Sequence, residues 1–327
     1  MDKIKEILNN SKSIVITTHK SPDGDAIGSS LALYHFLKKK GKEVSVIVPD
    51  AFPEFLKWMD GSSTIIHYDT NSEEAEKMIT AADLIFSLDY NGLGRIGNLS
   101  NPLKDASAIK IVIDHHQDPQ EFADHYIVDV ECCSTSQLIY ELIENLGELE
   151  KLDKVIGACI YCGIMTDTGS FRFPSTTSKT HQIIAHLIEI GVEGSKIHQD
   201  VYDNYSEQRL RLLGYALTEK MKVFPMHNAA YISLSQKELK KFSFKKGDTE
   251  GLVNYLLSIN GIKFAVLLTE KEDNISLSFR SKDDFHVNKI ANHHFNGGGH
   301  IYAAGGMLET TLEEAIKKVE AVIKQSN

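Results

Sequence analysis

Short, mostly apolar runs at residues 14–16, 44–48, 84–88 and 109–113 alternate with amphipathic stretches, notably 26–40 and 54–59. That rhythm predicts β-α-β units, hence an α/β fold with a largely parallel sheet covered by helices. In the first long stretch Ile27, Leu31, Tyr34 and Leu37 share a helical face, three lysines close it, and Gly41 follows, as dipole and capping arguments expect. Helical spacing continues over 135–146, 151–165 and 180–190, where Gly191 and Gly194 break it, and a charged helical stretch spans 206–222. After Pro225 the pattern returns to strands at 229–234, 264–268 and 275–279. The chain thus reads as a domain over 1–190, a connecting segment over 191–225 and a second, smaller α/β domain over 226–327.

Length agrees, since 327 residues exceed what one hydrophobic core usually serves. With 42% hydrophobic and 24% charged residues, disordered and low-complexity classes are excluded. A net charge of −10 denies the chain a uniform grip on long duplex DNA, so a nucleic-acid partner must be short or locally held. No apolar run approaches the ~18 residues of a membrane span. The polar N-terminus and four cysteines, two of them adjacent at Cys132 and Cys133, predict a cytoplasmic protein with reduced thiols.

The informative feature is where the acids fall. The first apolar run leads to His19, Asp23 and Asp25, the third to Asp89, the fourth to Asp114, His115 and His116, and the segment 156–165 to Asp167. In an open parallel sheet the carboxyl ends of strands lie along one edge, where ligands bind. A single aspartate after a strand is ordinarily a turn former or helix cap, as Asp50 illustrates, and Asp25 is placed to cap its own helix. The whole set resists that reading. Converging carboxylates repel one another unless cations sit among them, and aspartate oxygen with imidazole nitrogen suits divalent manganese, magnesium, zinc or iron. Two ions with one bridging aspartate resolve the charge most simply.

These residues carry a resemblance. The run His19-Lys-Ser-Pro-Asp-Gly-Asp-Ala-Ile-Gly-Ser, Asp89 followed by Arg95 and Gly97, the triplet Asp114-His115-His116, and Gly163-Ile-Met-Thr-Asp-Thr-Gly-Ser-Phe-Arg-Phe resemble the four motifs of the DHH phosphoesterase superfamily. The segment Gly297-Gly-Gly-His300-Ile-Tyr-Ala-Ala-Gly-Gly306 resembles its DHHA1 domain. Within that superfamily the chain resembles the NrnA-like group, which implies degradation of very short RNAs and dephosphorylation of phosphoadenosine phosphate. The resemblance implies that His19, Asp23 and Asp89 hold one manganese ion and that Asp25, Asp89, His115 and Asp167 hold a second. His116 would face the scissile phosphate, with Asp114 orienting it. Arg280, Ser281, Gly298, Gly299, His300 and Arg95 would bind substrate, and relatives suggest a homodimer. Asn296 and Ile301 stand where relatives carry a fourth glycine and a polar residue; asparagine tolerates the left-handed backbone such a loop needs.

Other signals compete. Gly92-Leu-Gly94-Arg-Ile-Gly97 matches a dinucleotide-binding fingerprint, with Asp114 about twenty residues beyond. Only eleven residues separate Gly97 from Ile109 and Pro102 interrupts them, too little for the required helix. Cys159-Ile-Tyr-Cys162 lies in an apolar helical run and reads as buried thiols. His35, His67, His125, His181 and His227 stand alone and read as surface residues, and the pair His293-His294 beside the glycine loop reads as surface or as support behind a site rather than as ligands. Tyr255, Phe264, Phe279 and Phe285 read as core before they read as base-stacking groups. The expected activity is two-metal hydrolysis of short RNA and phosphoadenosine phosphate, against the alternatives of a cyclic-dinucleotide phosphodiesterase, a strand exonuclease, a pyrophosphatase or a non-catalytic nucleotide sensor.

Overall fold

The computed structural model describes residues 1–325 and divides into two compact units, Met1–Asn204 and Tyr205–Asn327. The first contains α1 (Asp2–Asn10), β1 (Ser13–Thr18), α2 (Gly24–Lys39), β2 (Glu43–Val48), β3 (Ile66–His67), α3 (Ser72–Ala81), β4 (Leu84–Leu88), α4 (Ser100–Asp105), β5 (Ile109–Asp114), β6 (His125–Val128), α5 (Thr135–Asn145), α6 (Lys154–Asp167), α7 (Ser178–Glu189) and α8 (Gly194–Tyr202). Its six strands run parallel in the order β3-β2-β1-β4-β5-β6. The order reverses between β1 and β4, which is the switch point where an open α/β sheet leaves a crevice at its carboxyl edge.

Alternation along the strands divides the core. Ile14, Ile16, Val46, Val48, Leu84, Phe86 and Leu88 face α2, α5 and α6, while Val15, Ile47 and Ile85 face α3 and α4. Both faces are covered, so these strands read as nearly continuous apolar runs. Helices α2 and α6 touch closely because Gly28 lacks a side chain: a Cβ there would lie 2.6 Å from the Cys159 carbonyl oxygen.

The second unit contains α9 (Glu207–Tyr215), β7 (Met221–Phe224), β8 (Ala229–Leu234), α10 (Gln236–Lys241), α11 (Leu252–Leu257), β9 (Phe264–Glu270), β10 (Ile275–Ser281), α12 (Val287–Phe295), β11 (Gly298–Gly299), β12 (Ala303–Leu308) and α13 (Leu312–Gln325). Its mixed sheet has the order β11-β12-β10-β9-β8-β7. One face packs on α12 and α13 through Phe264, Phe279, Phe295 and Val319, and the other on α11 through Ile232, Leu256 and Leu267. Tyr255 is exposed, but Phe264 and Phe279 are core.

Some expectations change. The stretch 54–59, bounded by Pro53 and Gly61, forms only a 3₁₀ turn, Glu54–Leu56. The stretch 191–225 is itself folded, holding α8, α9 and a π-helical turn, Ala216–Lys220. The segment ending at Asp167 is helix α6, so that acid closes a helix, whereas Asp89 follows a strand. The four cysteines are free thiols and buried. Burial pushes the Cys159 thiol up to about 12 and raises that of Cys162 as well, so neither is an accessible thiolate. No helix among the described residues is long and apolar enough to cross a membrane.

Candidate active site

Strands β1 and β4, which flank the switch point, deliver His19 and Asp89, and β5 delivers the triplet Asp114, His115 and His116. Asp89 stands directly after β4 in a left-handed conformation, φ 65, a strained placement for a non-glycine residue of the kind concentrated at functional sites. Its oxygens divide between two neighbourhoods. Oδ2 lies 3.4 Å from His19 Nε2, and Oδ1 lies 3.5 Å from His115 Nε2 and 3.7 Å from His116 Nδ1.

On the Oδ2 side, His19 Nε2 is 3.9 Å from Asp23 Oδ2. Asp23 also caps α2, its Oδ1 accepting from the backbone N–H groups of Asp25 and Ala26 at 3.1 Å each, so capping and facing the cluster coexist. On the Oδ1 side, His115 Nε2 is 3.8 Å from Asp25 Oδ2 and 3.4 Å from Asp167 Oδ2. Asp25 does not cap its own helix. It accepts from Thr135 N at 2.6 Å and Ser136 N at 2.8 Å, the first amides of α5. Gly163 of α6 makes this approach possible, because a Cβ there would meet Ser136 Oγ at 1.9 Å and Asp25 Oδ1 at 2.7 Å. His116 Nδ1 pairs with Asp114 Oδ1 at 2.7 Å.

Asp25, Asp89, Asp114, His19, His115 and His116 are all buried; Asp167 is partly so and Asp23 is half exposed. No lysine or arginine pairs with any of the five aspartates among the described residues; the basic side chains within ion-pair distance of them are the three histidines. The protonation pattern shows the resulting frustration. Burial, reinforced by the Asp89 charge, holds Asp25 well above the ordinary carboxylate range, and burial does the same to Asp167. Burial opposes ionisation of Asp89 too, but hydrogen bonds with His115 and His19 override it and hold that carboxyl well below its usual value. Burial would lower His19, yet Asp89 and Asp23 push it up to about 9; His115 rises likewise through Asp167 and Asp89.

Within the first unit, three donor groups have atoms mutually within 4.8 Å: His19, Asp23 and Asp89; Asp25, Asp89 and His115; Asp89, Asp114 and His116. Hard carboxylate oxygen with imidazole nitrogen, buried without a basic partner, is a donor set that fits divalent cations. Buried Asp114 Oδ2 has no hydrogen-bond partner either, an uncompensated acceptor that ordinarily has a partner.

Thr135 carries no signal in the chemistry of the sequence beyond its place before a helix, yet its Oγ1 donates to Asp89 Oδ1 at 2.9 Å. His115 Nδ1 pairs with the Cys132 carbonyl at 3.1 Å, which directs Nε2 to the carboxylates. The glycines 92–97 form 3₁₀ turns, and Arg95 O accepts from Lys20 N at 2.8 Å, tying this segment to the His19 loop. Arg95 is half-buried and near enough that its charge acts on His19.

In the second unit Arg280 lies on the half-exposed face of β10, paired with Ala303 of β12. Ser281 is buried, donating its hydroxyl to Phe285 O and its N–H to Tyr302 O; both donors serve the fold. Gly298 and Gly299 form β11 and pair with Gly305 and Ala304; half-buried His300 sits in the turn before β12. Asn296 adopts the left-handed conformation, φ 47 and ψ 47, at the end of α12. His293 and His294 are exposed, as is His181, while His35, His67, His125 and His227 are half-buried.

Comparison with known proteins decides the family. The N-terminal domain model of the DHH family matches residues 13–164, and the DHHA1 domain matches 228–325. An exopolyphosphatase-related protein from Bacteroides fragilis has a crystal structure with a TM-score of 0.94 and 45% identity, covering 99% of this chain and 95% of that one. The chain belongs to the DHH family. The DHH chain is also 29% identical, over 95% of its length and 89% of the relative's, to a bifunctional oligoribonuclease and PAP phosphatase NrnA of Thermus thermophilus. It is 24% identical to the cyclic-di-AMP phosphodiesterase PdeA of Listeria monocytogenes over 98% of this chain but 48% of that protein.

Proposed function

We propose that this DHH protein hydrolyses phosphoester bonds in very short RNA and in phosphoadenosine phosphate, using two divalent cations, with manganese the first choice. The observation that carries the reading is the division of Asp89, one oxygen toward His19 and Asp23 and the other toward His115, Asp25 and Asp167. His19, Asp23 and Asp89 would hold one cation, and Asp25, Asp89, His115 and Asp167 the other. Bound there, the pair supplies the missing positive charge and acidifies water for attack on phosphorus.

The chain's own groups do the rest. Asp114 accepts a hydrogen bond from His116 Nδ1 and so fixes the ring, whose Nε2, when it carries a proton as well, donates to a non-bridging phosphoryl oxygen as charge develops. Water adds to phosphorus, the P–O bond to the ribose breaks, and the ribose oxygen leaves with a proton. Arg280, His300 and Arg95 bind the anionic remainder of the substrate through charge-assisted hydrogen bonds, and the glycines at 298 and 299 let backbone amides approach it.

The similarity to the Thermus protein supports the substrate assignment, and that to the Listeria protein makes a cyclic dinucleotide the second reading. Purified protein with manganese, offered labelled diribonucleotide, a long oligoribonucleotide, a cyclic dinucleotide and phosphoadenosine phosphate, tests it. Fastest turnover of the diribonucleotide and release of the 3′-phosphate are expected. Preference for the long strand would overturn the assignment, and preference for the cyclic dinucleotide would establish the second reading.

A further inference from the structure

Five consecutive residues, 132–136, grip three of the candidate cation ligands from behind. The Cys132 carbonyl orients His115 through Nδ1. The Thr135 and Ser136 amides hold both oxygens of Asp25. The Thr135 hydroxyl, fully buried, holds Asp89 Oδ1. All three ligands belong to the Oδ1 side of Asp89. The other side has no such backing: His19 Nδ1 pairs with the carbonyl of the next residue, Lys20, at 2.9 Å, and Asp23 bonds only to the first turn of its own helix with its side chain 49% exposed. Ligands held in place before a cation arrives lose less freedom on binding it, and outer partners of this kind commonly change affinity by 10- to 100-fold.

We propose that Thr135 is a positioning residue that makes the two cation sites unequal, the Asp25–Asp89–His115 site tight and the His19–Asp23–Asp89 site exchangeable. The inference rests on the two-cation reading above. Thr135 touches no substrate; it acts by fixing which way Oδ1 of the shared aspartate faces. Its side chain is isosteric with valine, so the hydroxyl can be removed with little change of volume, and serine restores the hydroxyl alone.

The test is a titration of chelator-stripped full-length protein with manganese, followed through the magnetic resonance signal of the free aqueous ion. Wild type should bind in two steps of different affinity. Thr135→Val should weaken the tight step by about 10- to 100-fold and leave the weak step in place, and Thr135→Ser should restore the tight step. Asp23→Asn, on the opposite side, should weaken only the weak step, and it keeps the proposal exposed if the valine variant fails to fold. Two equal steps in wild type, an unaltered tight step in Thr135→Val, or no recovery with serine would overturn the role of Thr135 while leaving the two-cation reading standing. Absence of any binding by wild type would overturn both.

Discussion

The two units of this DHH protein place their polar groups in opposite ways. In the first, acids and imidazoles are driven inside: Asp25, Asp89 and His115 are at most 4% exposed, and His115 Nε2 lies 3.8 Å from Asp25 and 3.5 Å from Asp89. In the second, the polar candidates are only half-buried, with Arg280 on a half-exposed strand face beside small residues and His300 in a turn. A low-dielectric setting magnifies charge and suits bond breaking, whereas a half-exposed position leaves a cationic side chain hydrated and suits recognition of a soluble anion. On the function proposed above, the contrast is a division of labour between reaction and recognition.

The largest effect that could break this division is at Asp89. Asp89→Ala should lower kcat by roughly a thousandfold or more, since both cation sites lose a ligand, and cation binding should weaken in the same protein; near-normal turnover would end the claim that the first unit holds the chemistry. Arg280→Ala should raise KM by about 10- to 100-fold, the value of a charge-assisted hydrogen bond, with kcat nearly kept and manganese binding unaltered. A fall in kcat comparable to that of Asp89→Ala would place Arg280 with the reacting groups instead.

Gly163→Ala sharpens the comparison from the packing side. The new methyl would meet Ser136 Oγ and Asp25 Oδ1, so thermal unfolding should show a loss of about 1–3 kcal/mol together with weaker cation binding. A mid-helix glycine whose replacement left both unchanged would mean that the first unit tolerates a looser site than its burial suggests.

The smallest effect concerns pH. His19 is pushed up to about 9 in the folded, cation-free site, so its contribution to stability is complete below an unfolded value of ~6.5 and is lost as pH rises through 9. Asp25 and Asp167, held above the carboxylate range, work with the same sign, their contribution beginning to fall once pH passes the ordinary carboxylate value. Chelator-stripped protein should therefore melt at falling temperatures from pH 6.5 to 9, and saturating manganese should flatten that slope. A slope unaffected by the metal would assign the titration to groups outside the cluster.

Much of the first unit's site was legible because strand ends are legible. His19, Asp23, Asp25, Asp89 and the triplet 114–116 stand immediately after apolar runs, and a parallel sheet brings such ends to one edge. Asp167 was singled out as the acid to which an apolar segment leads, though that segment is a helix and not a strand. Thr135 was not found: a threonine ahead of an apolar helix reads only as a helix start, and nothing local shows that this start reaches Asp89, 46 residues earlier. Asp25 was placed as a cap on its own helix and instead caps α5. The left-handed Asn296 was anticipated, because its short amide side chain suits that conformation.

Alternation of apolar and polar positions, together with acids at the ends of the apolar runs, was enough to determine the parallel sheet, its covered faces and the meeting of carboxylates with imidazoles at one rim. Only the folded chain decided which oxygen of Asp89 faces which partner, which helix start steadies Asp25, and that Ser281 is turned inward. Strand direction and side-chain period are local properties that any stretch of sequence expresses. Hydrogen-bond partners a hundred residues apart are chosen by how helices pack across the sheet, and no local pattern encodes that choice.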